Sequence, residues 1–235
     1  MKLDAVLWDY DGTLVNSVPK NIDITKQILL EVATRLTGNG LPACLQSEAA
    51  YHIANHRAKN WQELYVEYYG MTPNEMKAAG KLWTEFQLKN TTPVALFPEI
   101  EHTVSQIMLP QGICSQNSAQ NIYHVLRQEN LHHKFQAVVG YDDIPSNAQK
   151  PNPYSGVRCL EQLLDTVEGK TILYVGDHEG DVEFARNMER ELHQKCRVIA
   201  VGVKYSGADM QQWHHRPDFE IDRPTDLLSI VDRYS

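Results

Sequence analysis

The sequence predicts an α/β fold: a doubly wound parallel sheet with an all-helical insert near its start. Three observations predict it. From Pro98 onward, stretches of strand character alternate with stretches of helical period, the signature of a parallel sheet covered on both faces. A short apolar run, Leu3, Ala5, Val6, Leu7 and Trp8, ends in Asp9-Tyr10-Asp11-Gly12-Thr13. Between these, residues 16 to 93 read as helices with turn punctuation and no convincing buried strand.

Taken in order, the first apolar run is a strand short enough to be buried on both faces, and the carboxylates behind it bring charge to the sheet's edge. Folding alone asks for no acid there. A helix is then predicted from about Asn21 to Thr37, with Ile24, Ile28, Leu29, Val32 and Leu36 on one face and Gly38 to Pro42 ending it. Shorter helices are expected over Ser47 to Ala54 and Trp61 to Tyr69. Thr72-Pro73-Asn74-Glu75 opens another, with threonine as cap, proline in the first turn and glutamate placed for a capping box, running to about Lys89.

The alternating part follows. Helices are expected over Glu99 to Leu109, Ala119 to Gln128, Pro153 to Leu164 and Asp181 to Leu192. Strands are expected over Gly112 to Ser115, Gln136 to Gly140, Thr171 to Val175 and Arg197 to Val203, with Asp218 to Ile221 as a short last one. The expected organisation is a core of residues 1–15 and 94–235 and an insert of residues 16–93, large enough to be a domain of its own.

Composition narrows the function classes. Hydrophobic residues at 42% and charged residues at 22% are those of a soluble globular chain of 235 residues. A net charge of -8 argues against a general nucleic-acid or anionic-membrane surface. Cys44, Cys114, Cys159 and Cys196 lie far apart, without metal-ligand spacing, and are expected as free thiols. The opening apolar run is too short for a signal sequence, and no stretch approaches the about 20 apolar residues of a membrane span. The expectation is a cytoplasmic protein, monomeric or homodimeric.

In an extended stretch Asp9 and Asp11 point the same way while Tyr10 faces elsewhere. A calcium loop starting at Asp9 is excluded, because an EF-hand needs glycine and glutamate where Leu14 and Lys20 stand. An acidic turn stays open on this stretch alone, so the other strand ends decide. In an open parallel sheet, ligands bind beyond the carboxyl ends of the strands. There the chain places Ser115-Gln116-Asn117-Ser118 at a helix start that favours anions, Lys150-Pro151, and Gly176-Asp177-His178-Glu179-Gly180-Asp181. If Asp9, Asp11, Asp177 and Asp181 converge, their repulsion calls for a cation, and all-oxygen ligands of this hardness suit Mg²⁺. A cation, a lysine and a helix start around one point would neutralise a phosphate, and a carboxylate can then attack phosphorus to form an aspartyl-phosphate.

With these motifs in place the sequence resembles the haloacid dehalogenase superfamily, in its phosphoglycolate phosphatase-like branch. Asp9-Tyr10-Asp11-Gly12-Thr13 matches the first motif, Ser115 the second, Lys150 the third, and Gly176-Asp177 with Asp181 the fourth. The resemblance covers essentially the whole chain and implies a Rossmann-like core with residues 16–93 as a cap domain. It implies Asp9 as nucleophile and Asp11 as general acid, then base. Thr13, Ser115, Gln116 and Lys150 fall to phosphate binding and its support, and Mg²⁺ to Asp9, the carbonyl of Asp11, Asp177 and Asp181. The implied substrate is a small phosphorylated metabolite.

Alternatives accompany these roles. Ser115 alone reads as a strand-end cap and Lys150 alone as an exposed lysine. Asp181 reads also as a helix-start acid favoured by the dipole. The basic loop Asn55 to Asn60, with Arg57 and Lys59, points to an acidic group on the substrate or to a solvated turn. His178 points to the phosphate or the cap entrance, or to an exposed histidine. A tyrosine two residues after the nucleophile marks dehalogenases proper; Asp11 stands there, which disfavours dehalogenation. A sugar-phosphate mutase or phosphonatase on the same scaffold, and a non-catalytic phosphate-binding regulatory module, are the competing functions.

Overall fold

A computed structural model describes residues 2–234 of the protein. β1 (Ala5–Trp8) is buried along its whole length, as its apolar run requires. The chain leaves through β2 (Val15–Asn16) into α1 (Val18–Val32), α2 (Glu48–Arg57), the single turn α3 (Trp61–Glu63) and α4 (Pro73–Lys89), and returns through β3 (Ala95–Leu96). Then come α5 (Ile100–Gln106), β4 (Gln111–Cys114), α6 (Ala119–Gln128), β5 (Ala137–Val139), α7 (Tyr154–Leu163) and β6 (Thr171–Gly176). α8 (Glu179–Glu191), β7 (Arg197–Val203), β8 (Phe219–Ile221) and α9 (Asp226–Arg233) complete the chain.

The main sheet has the order β5-β4-β1-β6-β7-β8, and every adjacent pair is parallel. β1 is therefore interior, with Trp8 opposite Ile113 of β4 on one side and Val175 of β6 on the other. Both faces are covered. Ala5, Leu7, Cys114, Val139, Ile172 and Tyr174 share one core with Cys159 and Leu160 of α7 and Phe184, Ala185 and Met188 of α8. Residues of the opposite alternation, Val6, Trp8, Ile113, Leu173 and Val175, are buried too. Each fully buried side chain of this size contributes about 1.5–3 kcal/mol.

By contacts the chain divides into two compact units, Met1–Asn16 with Leu96–Ser235, and Ser17–Ala95. The helical unit has its own core, built on Ile24, Ile28, Leu29, Leu45, Leu64, Tyr65 and Ala79. Its α4 starts as its residues dictate. Thr72 Oγ1 accepts the Glu75 N–H at 3.3 Å and Glu75 Oε2 accepts the Thr72 N–H at 2.7 Å, a closed capping box. These bonds, the Thr72 N–H first, hold the Glu75 carboxyl below its usual range, and the Arg35 guanidinium adds to them.

Several boundaries differ from expectation. α1 starts at Val18, with proline in its first turn, and stops at Val32, where Ala33 leaves helical geometry at φ -152°. Thr34–Leu36 and Gly38–Gly40 are separate 3-10 turns, and Leu36 keeps the apolar spacing without belonging to the helix. α2 runs on to Arg57, so Asn55 to Arg57 form its last turn rather than a loop; the basic end suits the helix dipole. Trp61 to Tyr69 is not a regular helix, since Leu64–Tyr68 is π-helical. Cys44, Cys114, Cys159 and Cys196 are buried thiols. No described helix is long and apolar enough to cross a membrane.

Candidate active site

The carboxyl ends of β1 and β6, with the loop after β5, bring Asp9, Lys150, Asp177 and Asp181 to one place, while the expected fourth carboxylate, Asp11, meets Asn117 instead. Asp9 follows Trp8 directly and its N–H donates to Val175 O of β6 at 2.8 Å, so its position is fixed by the sheet itself. Carboxylate oxygens of Asp9, Asp177 and Asp181, all buried, lie within 4.8 Å of one another. Lys150 reaches into them. Its Nζ donates to Asp9 Oδ1 at 2.5 Å, Asp181 Oδ1 at 2.7 Å and Tyr174 Oη at 3.0 Å, so all three ammonium hydrogens have protein acceptors.

Two glycines make this approach feasible. Gly12 has φ +78°, and a Cβ there would sit 2.1 Å from Asp177 Oδ2. At Gly176 a Cβ would lie 2.4 Å from the Asp181 carboxyl carbon. The chain thus keeps bare backbone where carboxylates must come near.

The charge balance of the cluster is uneven, with three carboxylates facing one ammonium. Burial pushes the Asp9 carboxyl well above its usual range; Lys150 pulls it down, and Asp181 and Asp177 push it up again. Burial alone would lower the Lys150 ammonium, but Asp181 and Asp9 outweigh it and hold it well above an ordinary lysine. An excess of buried negative charge, carried on hard oxygen donors, fits a divalent cation. Asp9 and Asp177 are placed where they could hold one. Asp181 is more heavily committed, with Oδ1 on Lys150 and Tyr174 and Oδ2 accepting the His178 N–H at 3.1 Å.

Residues 6–193 match a family model described as haloacid dehalogenase-like hydrolase. The chain belongs to the haloacid dehalogenase-like hydrolases. It is 27% identical over 237 residues to the phosphoglycolate phosphatase of Synechococcus elongatus, covering 97% of each chain. To the pyrophosphatase PpaX of Listeria welshimeri it is 25% identical over 235 residues, covering 98% of this chain and 97% of the relative. Among solved structures, a haloacid dehalogenase-like family hydrolase from Streptococcus pneumoniae superimposes with a TM-score of 0.74 at 15% identity, covering 97% of this chain and 98% of the other. At that identity the likeness speaks for the fold alone.

The remaining residues of this haloacid dehalogenase-like hydrolase take varied places. Ser115 is buried, and its Oγ accepts the Asn117 N–H at 3.0 Å. Gln116 Nε2 donates to Lys150 O at 3.0 Å and ties down the backbone of the lysine. Thr13 is buried, with its carbonyl accepting the Tyr205 hydroxyl at 2.8 Å. His178 serves as the N-cap of α8, its Nδ1 accepting the Gly180 N–H at 3.0 Å, so the helix begins two residues before the expected Asp181. Arg57 and Lys59 belong to the helical unit, where the Lys59 N–H donates to Glu63 Oε2 at 2.7 Å.

Tyr174 and Tyr205 were not read from the sequence, and Asn117 was read only as part of a polar helix start. Asn117 Nδ2 donates to Asp11 Oδ2 at 3.0 Å. Tyr174 joins Lys150 to Asp181 and to Cys114 O, and Tyr205 lies under Thr13. Tyr174 is hidden within a run of strand formers, two residues before Gly176; that spacing puts both on one strand face and was the available signal.

Proposed function

We propose that this protein is a magnesium-dependent phosphatase that hydrolyses a small phosphate monoester through an aspartyl-phosphate on Asp9. The observation that carries this reading is the buried set of Asp9, Asp177 and Asp181 with Lys150 Nζ 2.5 Å from Asp9. A single lysine among three carboxylates leaves an excess of negative charge that a divalent cation would balance.

In this reading an Asp9 oxygen attacks phosphorus and the ester P–O bond breaks. The leaving oxygen takes its proton from Asp11. Water then attacks the phosphorus of the aspartyl-phosphate, gives its proton to Asp11, and frees Asp9 and inorganic phosphate. Ser115 and the Lys150 ammonium, which gives up one of its protein acceptors to do so, hold the phosphoryl oxygens, and Gln116 and Thr13 fix the backbone of the loops that present them. Asp9, Asp177 and the Asp11 carbonyl, with Asp181 directly or through water, would hold Mg²⁺, which would supply positive charge against the phosphoryl oxygens. In the same reading residues 16–93 are a cap domain, and the basic Arg57 and Lys59 of that unit favour a substrate with an acidic group.

Support for the substrate class comes from the relatives, whose names cover phosphoglycolate, pyrophosphate and glyceraldehyde 3-phosphate. All are small phosphorylated compounds. A panel of such compounds assayed with Mg²⁺ is expected to give phosphate release that chelation abolishes and Mg²⁺ restores. Asp9→Asn is expected to remove activity to the detection limit. Turnover that persists through both treatments overturns the reading.

A further inference from the structure

The motif residues account for the chemistry of Asp11 but not for how its carboxyl is oriented. Asn117, read from the sequence as part of a polar helix start, is 7% exposed and donates from Nδ2 to Asp11 Oδ2 at 3.0 Å. Its own orientation is fixed from the other side. Asn117 Oδ1 accepts the Ser118 N–H at 2.8 Å and an Asn121 Nδ2 hydrogen at 3.1 Å. A backbone N–H is only a donor, so the amide cannot be turned over without setting two donors against each other. Ser118 and Asn121 belong to the start of α6, where Ser118 Oγ caps the Asn121 N–H at 3.1 Å. A continuous chain of bonds therefore runs from the N-terminus of α6 through Asn117 to one named oxygen of Asp11.

We propose that Asn117 is a positioning residue that orients the Asp11 carboxyl for its exchange of a proton with the leaving group and with water. In the first half-reaction a proton passes from Asp11 to the leaving oxygen as the Asp9–phosphorus bond forms and the ester bond breaks. In the second, Asp11 takes a proton from the attacking water as the Asp9–phosphorus bond breaks. The sum is ester plus water giving alcohol plus phosphate, with Asp11 restored. This inference rests on the reading of Asp11 as acid and base given above.

The test exploits leaving groups. An alkyl phosphate expels a poor leaving group that needs a proton, whereas 2,4-dinitrophenyl phosphate expels a stable anion that does not. For a reaction through a covalent intermediate, kcat/KM reports only the steps up to departure of the leaving group, so later hydrolysis of the aspartyl-phosphate does not enter. Asn117→Ala is expected to lower kcat/KM for the alkyl ester by roughly 10- to 100-fold, part of the usual general-acid contribution. For the dinitrophenyl ester it is expected to fall less than about threefold. Equal losses on both esters, or none on either, overturn the inference and leave the phosphatase reading intact. A wild-type protein that hydrolyses neither ester overturns that reading and the inference with it. Should Asn117→Ala fail to fold by circular dichroism, Asn121→Ala, which removes one of the two bonds to the Asn117 carbonyl, is expected to give the same unequal pattern with a smaller amplitude. Equal effects there count against the proposal.

Discussion

At the scale of single residues, closeness is bought by omission. Gly12 carries no Cβ, and any other residue would meet Asp177 Oδ2 at 2.1 Å and hold φ +78° against its own side chain. A left-handed position costs a non-glycine residue about 1–2 kcal/mol, before the clash is counted. Gly12→Ala is accordingly expected to lower stability by about 1–3 kcal/mol in denaturant titrations. Displacing Asp177 is expected to cost roughly 100-fold in kcat/KM, as misplacements near 1 Å do. Wild-type kinetics in that variant would show that Asp177 has slack. At this scale the strand-end aspartates were legible because charge at buried strand ends has no structural reason to be there, and Lys150 only through its place in the series of motifs. Asn117 was not, because an amide between two hydroxyls at a helix start reads as capping, and nothing local tells that its other end meets a residue 106 positions earlier.

Elements are held by a few polar ties as well as by their apolar faces. Asp4 precedes β1 and joins it to the start of β6: Oδ2 accepts the Thr171 N–H at 2.9 Å and Oδ1 the Lys170 ammonium at 2.9 Å. Burial raises the Asp4 carboxyl, but the Thr171 N–H and Lys170 outweigh it and leave it below its ordinary value. A carboxyl depressed in the folded state stabilises above its unfolded pKa, and this contribution disappears as pH falls through the folded value. Asp4→Asn is therefore expected to be less stable than wild type at about pH 7, with the gap closing toward about pH 3, below the unfolded carboxyl pKa of roughly 3.9. Chemical denaturation at both pH values measures it, and a gap that stays constant shows the tie to be electrostatically neutral. Strand and helix identities from β4 onward were legible because period and turn residues agree there. α1 was misjudged at both ends, since Leu36 continues the spacing beyond Val32 and the weight of Pro19 in the first turn was missed.

For the molecule as a whole, the core that holds Leu7 and Phe184 and the core that holds Ile28 and Tyr65 share no residue, and each lies inside one compact unit. The two linking segments pair as β2 and β3, so the ends left by removing the helical unit are already neighbours. Joining residue 16 to residue 96 through a short glycine linker is expected to leave a core that melts cooperatively, with less helical signal in circular dichroism. A featureless melt would mean that the core does not stand alone.

The interior place of β1 also governs when the cluster can assemble as the chain is made. β1 precedes its partner β6 by some 165 residues, and Asp9 precedes the lysine that meets it by 141 positions. A chain stopped before Lys150 carries Asp9 without the ammonium that balances it, and one stopped before Asp181 lacks the carboxylate that the same ammonium joins to Asp9. The meeting of these groups thus waits on residues made long after the strand that carries the first of them.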